Sequence, residues 1–281
     1  MDVLTTRAQV AAFSASHHAA GRRVGFVPTM GALHAGHLAL MEEAGRRADA
    51  VLASIFVNPT QFGPGEDFER YPRDTEGDLA KARSAGCHAV FLPPVAEMYP
   101  PGADTVVRVP ALSGPLCGAS RPGHFDGVCT VVLKLLHITR CDVAVFGEKD
   151  YQQLAVIRRM VRDLDVPVEI VGHPIVREAD GLAMSSRNQY LGVDERREAL
   201  CLHRALAAAE AVWAAGERDA DALEQTARAL VAASARARID YLEVRDALDL
   251  TRPAGPITAP VVLAMAVWFG QTRLLDNRVL A

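Results

Sequence analysis

Apolar residues in this chain fall into short runs separated by polar turns, and the length and spacing of the runs predict the elements. Residues 24–27 (Val-Gly-Phe-Val) and 50–57 (Ala-Val-Leu-Ala-Ser-Ile-Phe-Val) are nearly continuous apolar runs of strand length, the pattern of strands covered on both faces. Between them, residues 36–47 repeat apolar positions at helical spacing and predict a helix. Strand, helix, strand makes a βαβ unit, and the ligand crevice of such a unit lies at the carboxyl ends of its strands.

The pattern continues on both sides. A first helix is expected over 6–20, ended by Gly21, and another over 75–85, stopped by Gly86. Short strands are expected over 89–92, halted by Pro93 and Pro94, and over 105–109. Residues 127–139 read as a buried helix and 142–146 as a strand, after which a polar turn opens a helix running to about Leu164. Runs at 168–171 and 175–176 close this half. Beyond a polar, serine-rich loop over 177–189 the composition shifts. Ala- and Arg-rich stretches over 194–215 and 219–237 predict two helices joined at Gly216, followed by strand-like runs at 240–244, 261–269 and 272–275. The expected fold is α/β: a Rossmann-like doubly wound parallel sheet over 1–176, then a smaller α+β domain over 177–281 that begins with the serine-rich loop.

Composition narrows the function. Half of the 281 residues are hydrophobic and 23% are charged, as in ordinary globular proteins, and the formal net charge of −4 argues against broad nucleic-acid binding. No apolar run reaches the length of a membrane span, and residues 1–10 carry no signal-peptide core. The five cysteines (Cys87, Cys117, Cys129, Cys141, Cys201) are odd in number and lack C-x-x-C spacing, which predicts reduced thiols in a cytoplasmic protein.

Candidate chemistry collects where strands end. In Met30-Gly31-Ala32-Leu33-His34-Ala35-Gly36-His37, two histidines three residues apart sit at the start of a helix. Unpaired N–H groups and the positive end of the helix dipole suit phosphate there, Gly36 allows close approach, and imidazole can donate to phosphate oxygens. By itself the spacing also fits helix capping, surface residues or half of a metal site. Asn58-Pro59-Thr60-Gln61-Phe62 ends the 50–57 strand, and Gly147-Glu148-Lys149-Asp150 ends the 142–146 strand. A lysine in that position meets a phosphate or carboxylate, or is simply a solvated surface lysine. The adjacent His17 and His18 read as surface residues.

The His34-Ala-Gly-His37 block, paired with Met184-Ser185-Ser186-Arg187 far downstream, resembles the two signatures of the nucleotidyltransferase superfamily. Over nearly the whole chain, five blocks in order resemble the pantoate–β-alanine ligase family: residues 28–37, 56–62, Arg121-Pro-Gly-His124-Phe125, 147–153 and 177–188. The resemblance implies a two-step reaction. ATP and pantoate give pantoyl adenylate and pyrophosphate with Mg2+, and the amine of β-alanine then yields pantothenate and AMP.

It also implies site residues. ATP contacts fall on Met30, Gly31, His34, Gly36, His37, Gly147, Lys149, Asp150, the backbone of Val176, Met184, Ser185, Ser186 and Arg187, with His37 a proton donor and His34, Lys149 and Arg187 sharing catalysis. Gln61 and Gln153 match the glutamines that bind the acid substrates, with Met30, Phe62, Val131 and Val132 as a candidate apolar wall. The protein ligands of the metal stay unassigned; Asp78 and Asp150 are candidates beside phosphate oxygens and water. A homodimer in the cytoplasm is implied, with neither nucleic acid nor membrane as partner. Two departures stand out. Cys117 replaces an expected glutamate, which puts the ordering of its loop in question, and Asp126 stands where a basic or small residue is more usual. Other readings are a nucleotidyltransferase that transfers to a phosphorylated acceptor, which would not need the two glutamines, and a catalytically silent nucleotide-binding protein.

Overall fold

The computed structural model describes residues 1–281. Packing divides the chain into two compact units. The first comprises Met1–Val109, Arg121–Glu148 and Val156–Pro174, and the second Pro110–Ser120, Lys149–Ala155 and Ile175–Ala281.

In chain order, the elements up to the serine-rich loop are β1 (Asp2–Leu4), α1 (Arg7–Ala19), β2 (Val24–Thr29), α2 (Ala35–Arg47), β3 (Ala50–Ile55), α3 (Thr75–Ser84), β4 (Ala89–Phe91), the single turns α4 (Val95–Met98), α5 (Pro110–Ser113) and α6 (Cys117–Ser120), then α7 (His124–Thr139), β5 (Val143–Gly147), α8 (Tyr151–Asp163) and β6 (Glu169–His173). The six strands form one sheet in the order β1-β4-β3-β2-β5-β6, with every pair parallel. The order reverses between β2 and β5, and at such a switch point the connections leave in opposite directions and open a crevice at the strands' carboxyl ends. The turns following β2 and β5 carry the His34/His37 block and Gly147-Glu148.

The apolar runs explain this core. β2 and β3 pair from Val24↔Ala50 to Thr29↔Ile55 and are buried along almost their whole length. Leu40, Met41 and Ala44 of α2 pack on Val27, Val51, Val143 and Val145, removing that helix face from water at about 1.5–3 kcal/mol for each large side chain.

In the second unit, β7 (Ala237–Asp246), β8 (Val261–Phe269) and β9 (Thr272–Leu280) form an antiparallel meander. The helices α9 (Val193–Glu198), α10 (Cys201–Ala214) and α11 (Ala220–Ala232) precede it. Leu202, Leu206, Leu223 and Val231 of the helices share a core with Leu242, Leu263, Met265 and Val267 of the sheet.

Several expectations are corrected. Residues 105–109 do not form a strand: the Val107 N–H donates to Thr130 Oγ1 of α7, no strand lies alongside, and Val106 is exposed. Residues 175–176 are likewise outside any strand. The helix expected over 194–215 is interrupted between α9 and α10, where Leu202 N–H bonds to Ala199 O in a tighter turn. β1 gives no apolar run to read, because it is a three-residue edge strand with Val3 facing out. β9 runs five residues beyond Leu275.

All five cysteines are free and buried, and burial pushes the thiols of Cys87, Cys129 and Cys141 up to about 12. No helix is long and apolar enough to cross a membrane.

Candidate active site

The turn between β2 and α2 is built from its own backbone. Thr29, the last residue of β2, donates from Oγ1 to Ser54 O at 2.7 Å and accepts Gly31 N–H at 3.2 Å. Gly31 (φ +85°) and Ala32 (φ +50°) then reverse the chain in the left-handed region, where a Cβ on Gly31 would meet Asp78 Oδ2 at 2.9 Å. The N–H groups of Ala32 and Leu33 converge on Asp78 at 2.8 and 2.7 Å. Asp78, at 1% exposure, is therefore the clamp of this turn, and its oxygens point into protein backbone rather than toward a metal.

His34 is the N-cap of α2 and His37 its third helical residue. His34 Nδ1 accepts Gly36 N–H at 3.1 Å, and His37 Nδ1 accepts His34 N–H at 3.3 Å, a capping box made of two imidazoles. The rings lie 4.1 Å apart at 37°. A backbone N–H only donates, so each Nδ1 must accept, and the neutral rings carry their protons on Nε2. The helix cap thus fixes both tautomers as Nε2–H donors.

A second polar platform follows β3 in the same unit. Asn58, 1% exposed, donates from Nδ2 to Gln61 Oε1 (3.0 Å) and Gly127 O (3.2 Å), while its Oδ1 accepts Tyr99 OH at 2.9 Å. Gln61 Nε2 lies 3.0 Å from Met30 Sδ, which joins the two turns. Gly127 is required for this packing, because a Cβ there would sit 2.3 Å from Thr60 O.

The Arg121–His124 motif closes over the platform. Arg121 donates to both oxygens of Glu66 (2.7 and 2.5 Å), to Gln61 O at 3.2 Å and to His124 Nε2 at 3.2 Å. With Nε2 accepting, His124 donates from Nδ1 to Gln61 O at 2.8 Å. Burial works against ionisation of Glu66, but Arg121 outweighs it and holds the carboxyl below its ordinary value. Phe62 packs edge-on against Phe68 and Tyr71, and Val131 and Val132 are buried in α7.

In the second unit, Lys149 and Asp150 form a tight turn ahead of α8, with Lys149 Nζ 3.8 Å from Asp150 Oδ2. The turn is tied down by Asn277 Nδ2 donating to Lys149 O at 2.8 Å and by Tyr151 OH donating to Ala247 O at 2.7 Å. Gln153 is half-buried; its neighbour Gln152 is buried and holds the 110–120 segment by donating to Leu112 O (2.9 Å) and Pro115 O (2.7 Å) and accepting Cys117 N–H (3.0 Å). The Gln152 bond at position 117 is to the backbone N–H, and the Cys117 Sγ lies 3.7 Å from Arg273 Nη1. Asp126, the other departure, is held by Arg108 at 2.8 Å in the first unit.

The serine-rich loop opens as a small hairpin. Met184 N–H donates to Val176 O at 2.9 Å, and Arg177 bridges to Ala183. Arg177 grips Asp276 with two nitrogens (2.8 and 2.9 Å) and donates to Gly181 O at 3.0 Å. Asn188 donates to Glu178 and Ala183 O, and Arg196 joins Glu178 to Asp180. Ser185 caps the short turn Ser186–Tyr190 by accepting Arg187 N–H at 3.2 Å.

The structure therefore gathers Met30, Gly31, His34, Gly36, His37 and Gln61 in the first unit, where Gly147 ends β5. It gathers Lys149, Asp150, Gln153, Val176, Met184, Ser185, Ser186 and Arg187 in the second. Glu66, Gln152, Asp276 and Asn277, which hold these residues or their loops, act on distant segments and so carry no signal of local spacing. No group of three or more His, Cys, Asp or Glu side chains converges to hold a metal.

A family model described as pantoate-beta-alanine ligase matches residues 2–279. A pantothenate synthetase of Moorella thermoacetica is 54% identical over 280 residues, 100% of this chain and 99% of its own. One from Trichlorobacter lovleyi is 55% identical over 260 residues, 92% of each chain. The crystal structure of pantothenate synthetase from Thermus thermophilus matches with a TM-score of 0.93 at 47% identity over 99% of both chains. That of the pantoate–β-alanine ligase of Francisella tularensis, complexed with β-γ ATP and β-alanine, matches with a TM-score of 0.80 at 31% identity, over 99% of this chain and 97% of that one.

Proposed function

The chain belongs to the pantoate–β-alanine ligase family, whose reaction is the ATP-dependent joining of pantoate to β-alanine, and from that premise we propose how its side chains divide the work. In the first step a carboxylate oxygen of pantoate attacks the α-phosphorus of ATP. The bond to the bridging oxygen breaks, pyrophosphate leaves with the electron pair, and pantoyl adenylate remains. Charge builds on phosphate oxygens, so oriented donors matter more than a covalent nucleophile.

His34 and His37 donate through Nε2–H to those oxygens, with His37 the proton donor. Lys149 and Arg187 supply positive charge, and Ser185 and Ser186 supply hydroxyl donors. Met30, Gly31, Gly36, Gly147, Asp150, Val176 and Met184 complete the nucleotide contacts. Nucleotide and pantoate binding rest mainly on residues 1–176, and phosphate clamping on the loop that begins the 177–281 region. Gln61 and Gln153 bind the acid substrates, since an amide both donates and accepts. In the second step the amine of β-alanine attacks the acyl carbon, the C–O bond to AMP breaks, AMP leaves with the electron pair, and the amine proton passes to solvent.

A divalent cation, which we take to be Mg2+, neutralises phosphate charge when bound. The residues fit a cation carried by phosphate oxygens and water, because Asp78 is turned to backbone donors and Asp150 stands without a second carboxylate cluster. We also propose a homodimer, measurable by light scattering. Five buried free thiols support action in the cytoplasm, and the net charge of −4 leaves nucleic acid out of its partners.

The observation that carries this function is the two-histidine cap, which engages both Nδ1 atoms in the first turn of α2 after β2, a strand at the switch point of the sheet, and so makes Nε2 the donor nitrogen of each ring. Substrate omission tests it. With ATP, Mg2+ and pantoate, pyrophosphate forms without β-alanine while free AMP stays low, and steady AMP release requires β-alanine. Pyrophosphate release that ignores pantoate would overturn the assignment.

A further inference from the structure

β9 carries two adjacent buried polar residues that hold segments outside their own sheet. Asp276 is 2% exposed and Asn277 5%. The ladder sets them opposite Met265 and Ala264, through the backbone alone. Successive side chains on a strand leave on opposite faces. Asp276 shares its face with Leu274 and Leu280 of the core, and there it takes both Arg177 nitrogens and the Asn277 N–H. Asn277 shares the other face with Arg273, and there it donates to Lys149 O. One step of strand thus reaches the base of the serine-rich loop on one side and the Lys149 turn on the other.

The fold itself does not ask for these residues. Asp and Asn are poor strand formers, and a buried ion pair such as Asp276–Arg177 is replaceable by apolar residues of similar volume with little loss of stability. We propose that Asp276 and Asn277 are positioning residues that set the Lys149 turn and the serine-rich loop in one register. This rests on the reading that Lys149 and Ser185–Arg187 act on phosphate. It predicts a split between stability and catalysis that a merely structural pair would not give.

The test reads pantoate-dependent pyrophosphate release and thermal unfolding together. Asn277→Ala, with Asn277→Asp beside it as a variant that keeps the shape but loses the donor, lowers kcat by on the order of 10- to 100-fold. In a Lys149→Ala background the same change adds less than about 3-fold, because both act through one group. The double variant Asp276→Leu/Arg177→Met keeps its unfolding midpoint yet loses rate by on the order of 10-fold or more. Full activity in folded Asn277 variants, or an undiminished loss in the Lys149→Ala background, would overturn the proposal. A parent enzyme that releases no pyrophosphate with pantoate would remove instead the function on which it stands.

Discussion

The histidine turn of the first unit and the two loops of the second are built on opposite principles. His34 and His37 accept N–H groups two and three residues away, and Asp78 clamps the turn before them from a distant helix. The Lys149 turn and the serine-rich loop are fixed from β9, 128 and 99 residues away in sequence. A cap made from a helix's own first turn forms as the helix forms and holds its donors in one orientation. The two loops also carry other ties, but each takes one anchor from the distant strand β9. We read the first as a preformed donor pair and the second as the adjustable part, in keeping with clamps that close on a ligand.

The largest expected effect breaks the preformed side. His37→Ala removes a donor and half of the reciprocal cap, and pantoate-dependent pyrophosphate release falls by on the order of 10²–10⁴. A rate within a few-fold of the parent would remove His37 from the chemistry. Next is the tie on the adjustable side. Arg177→Met leaves the fully buried Asp276 carboxylate without its guanidinium, and chemical denaturation should show a loss of about 3–5 kcal/mol. An unchanged unfolding free energy would mean the pair is not a tie.

Asp78→Asn keeps the shape but withdraws charge from two backbone donors. A loss of about 1–3 kcal/mol is expected, with a smaller fall in rate than for His37→Ala. A larger kinetic effect than that of His37→Ala would contradict the view that the cap, rather than the clamp, orients the rings.

The smallest effect depends on pH. The Glu66 carboxyl titrates below its ordinary value of 4.5 because of Arg121, so the pair contributes in full above about that pH and is lost as pH falls through the lowered folded value. Glu66→Gln should therefore be less stable than the parent at neutral pH, by about 1–2 kcal/mol, and should converge with it in acid. A constant gap from pH 7 to pH 3 would contradict the role of the charge.

The same contrast decides what is legible in advance. β2, β3 and α2 follow from runs that satisfy themselves within a short window, and the 261–269 run coincides with β8. The placement of His34 and His37 at the head of α2 follows from the same local pattern. The apolar pattern of β9 stops at Leu275 because Asp276-Asn277 looks like the end of a strand, and only a partner 99 residues away makes a buried aspartate reasonable there. Residues 105–109 err the other way. Their alternation suits a strand, but a strand needs a neighbour, and the one polar partner of Val107 N–H is a helix side chain. The role of Asn277 escapes a sequence reading for the same reason, and so do the bonds of Asn58 to Gly127 and of Gln152 to Pro115: a buried amide's distant partners leave no mark in its neighbours in sequence.

The most direct test of the account is isotope exchange between labelled pyrophosphate and ATP, with pantoate present and β-alanine withheld. Reversible formation of pantoyl adenylate predicts that label enters ATP only when pantoate is present, and that His37→Ala lowers the exchange by on the order of 10²–10⁴ in the folded protein. Exchange without pantoate, or no exchange in a parent enzyme that nevertheless makes pantothenate, would contradict an adenylate formed under the histidine cap.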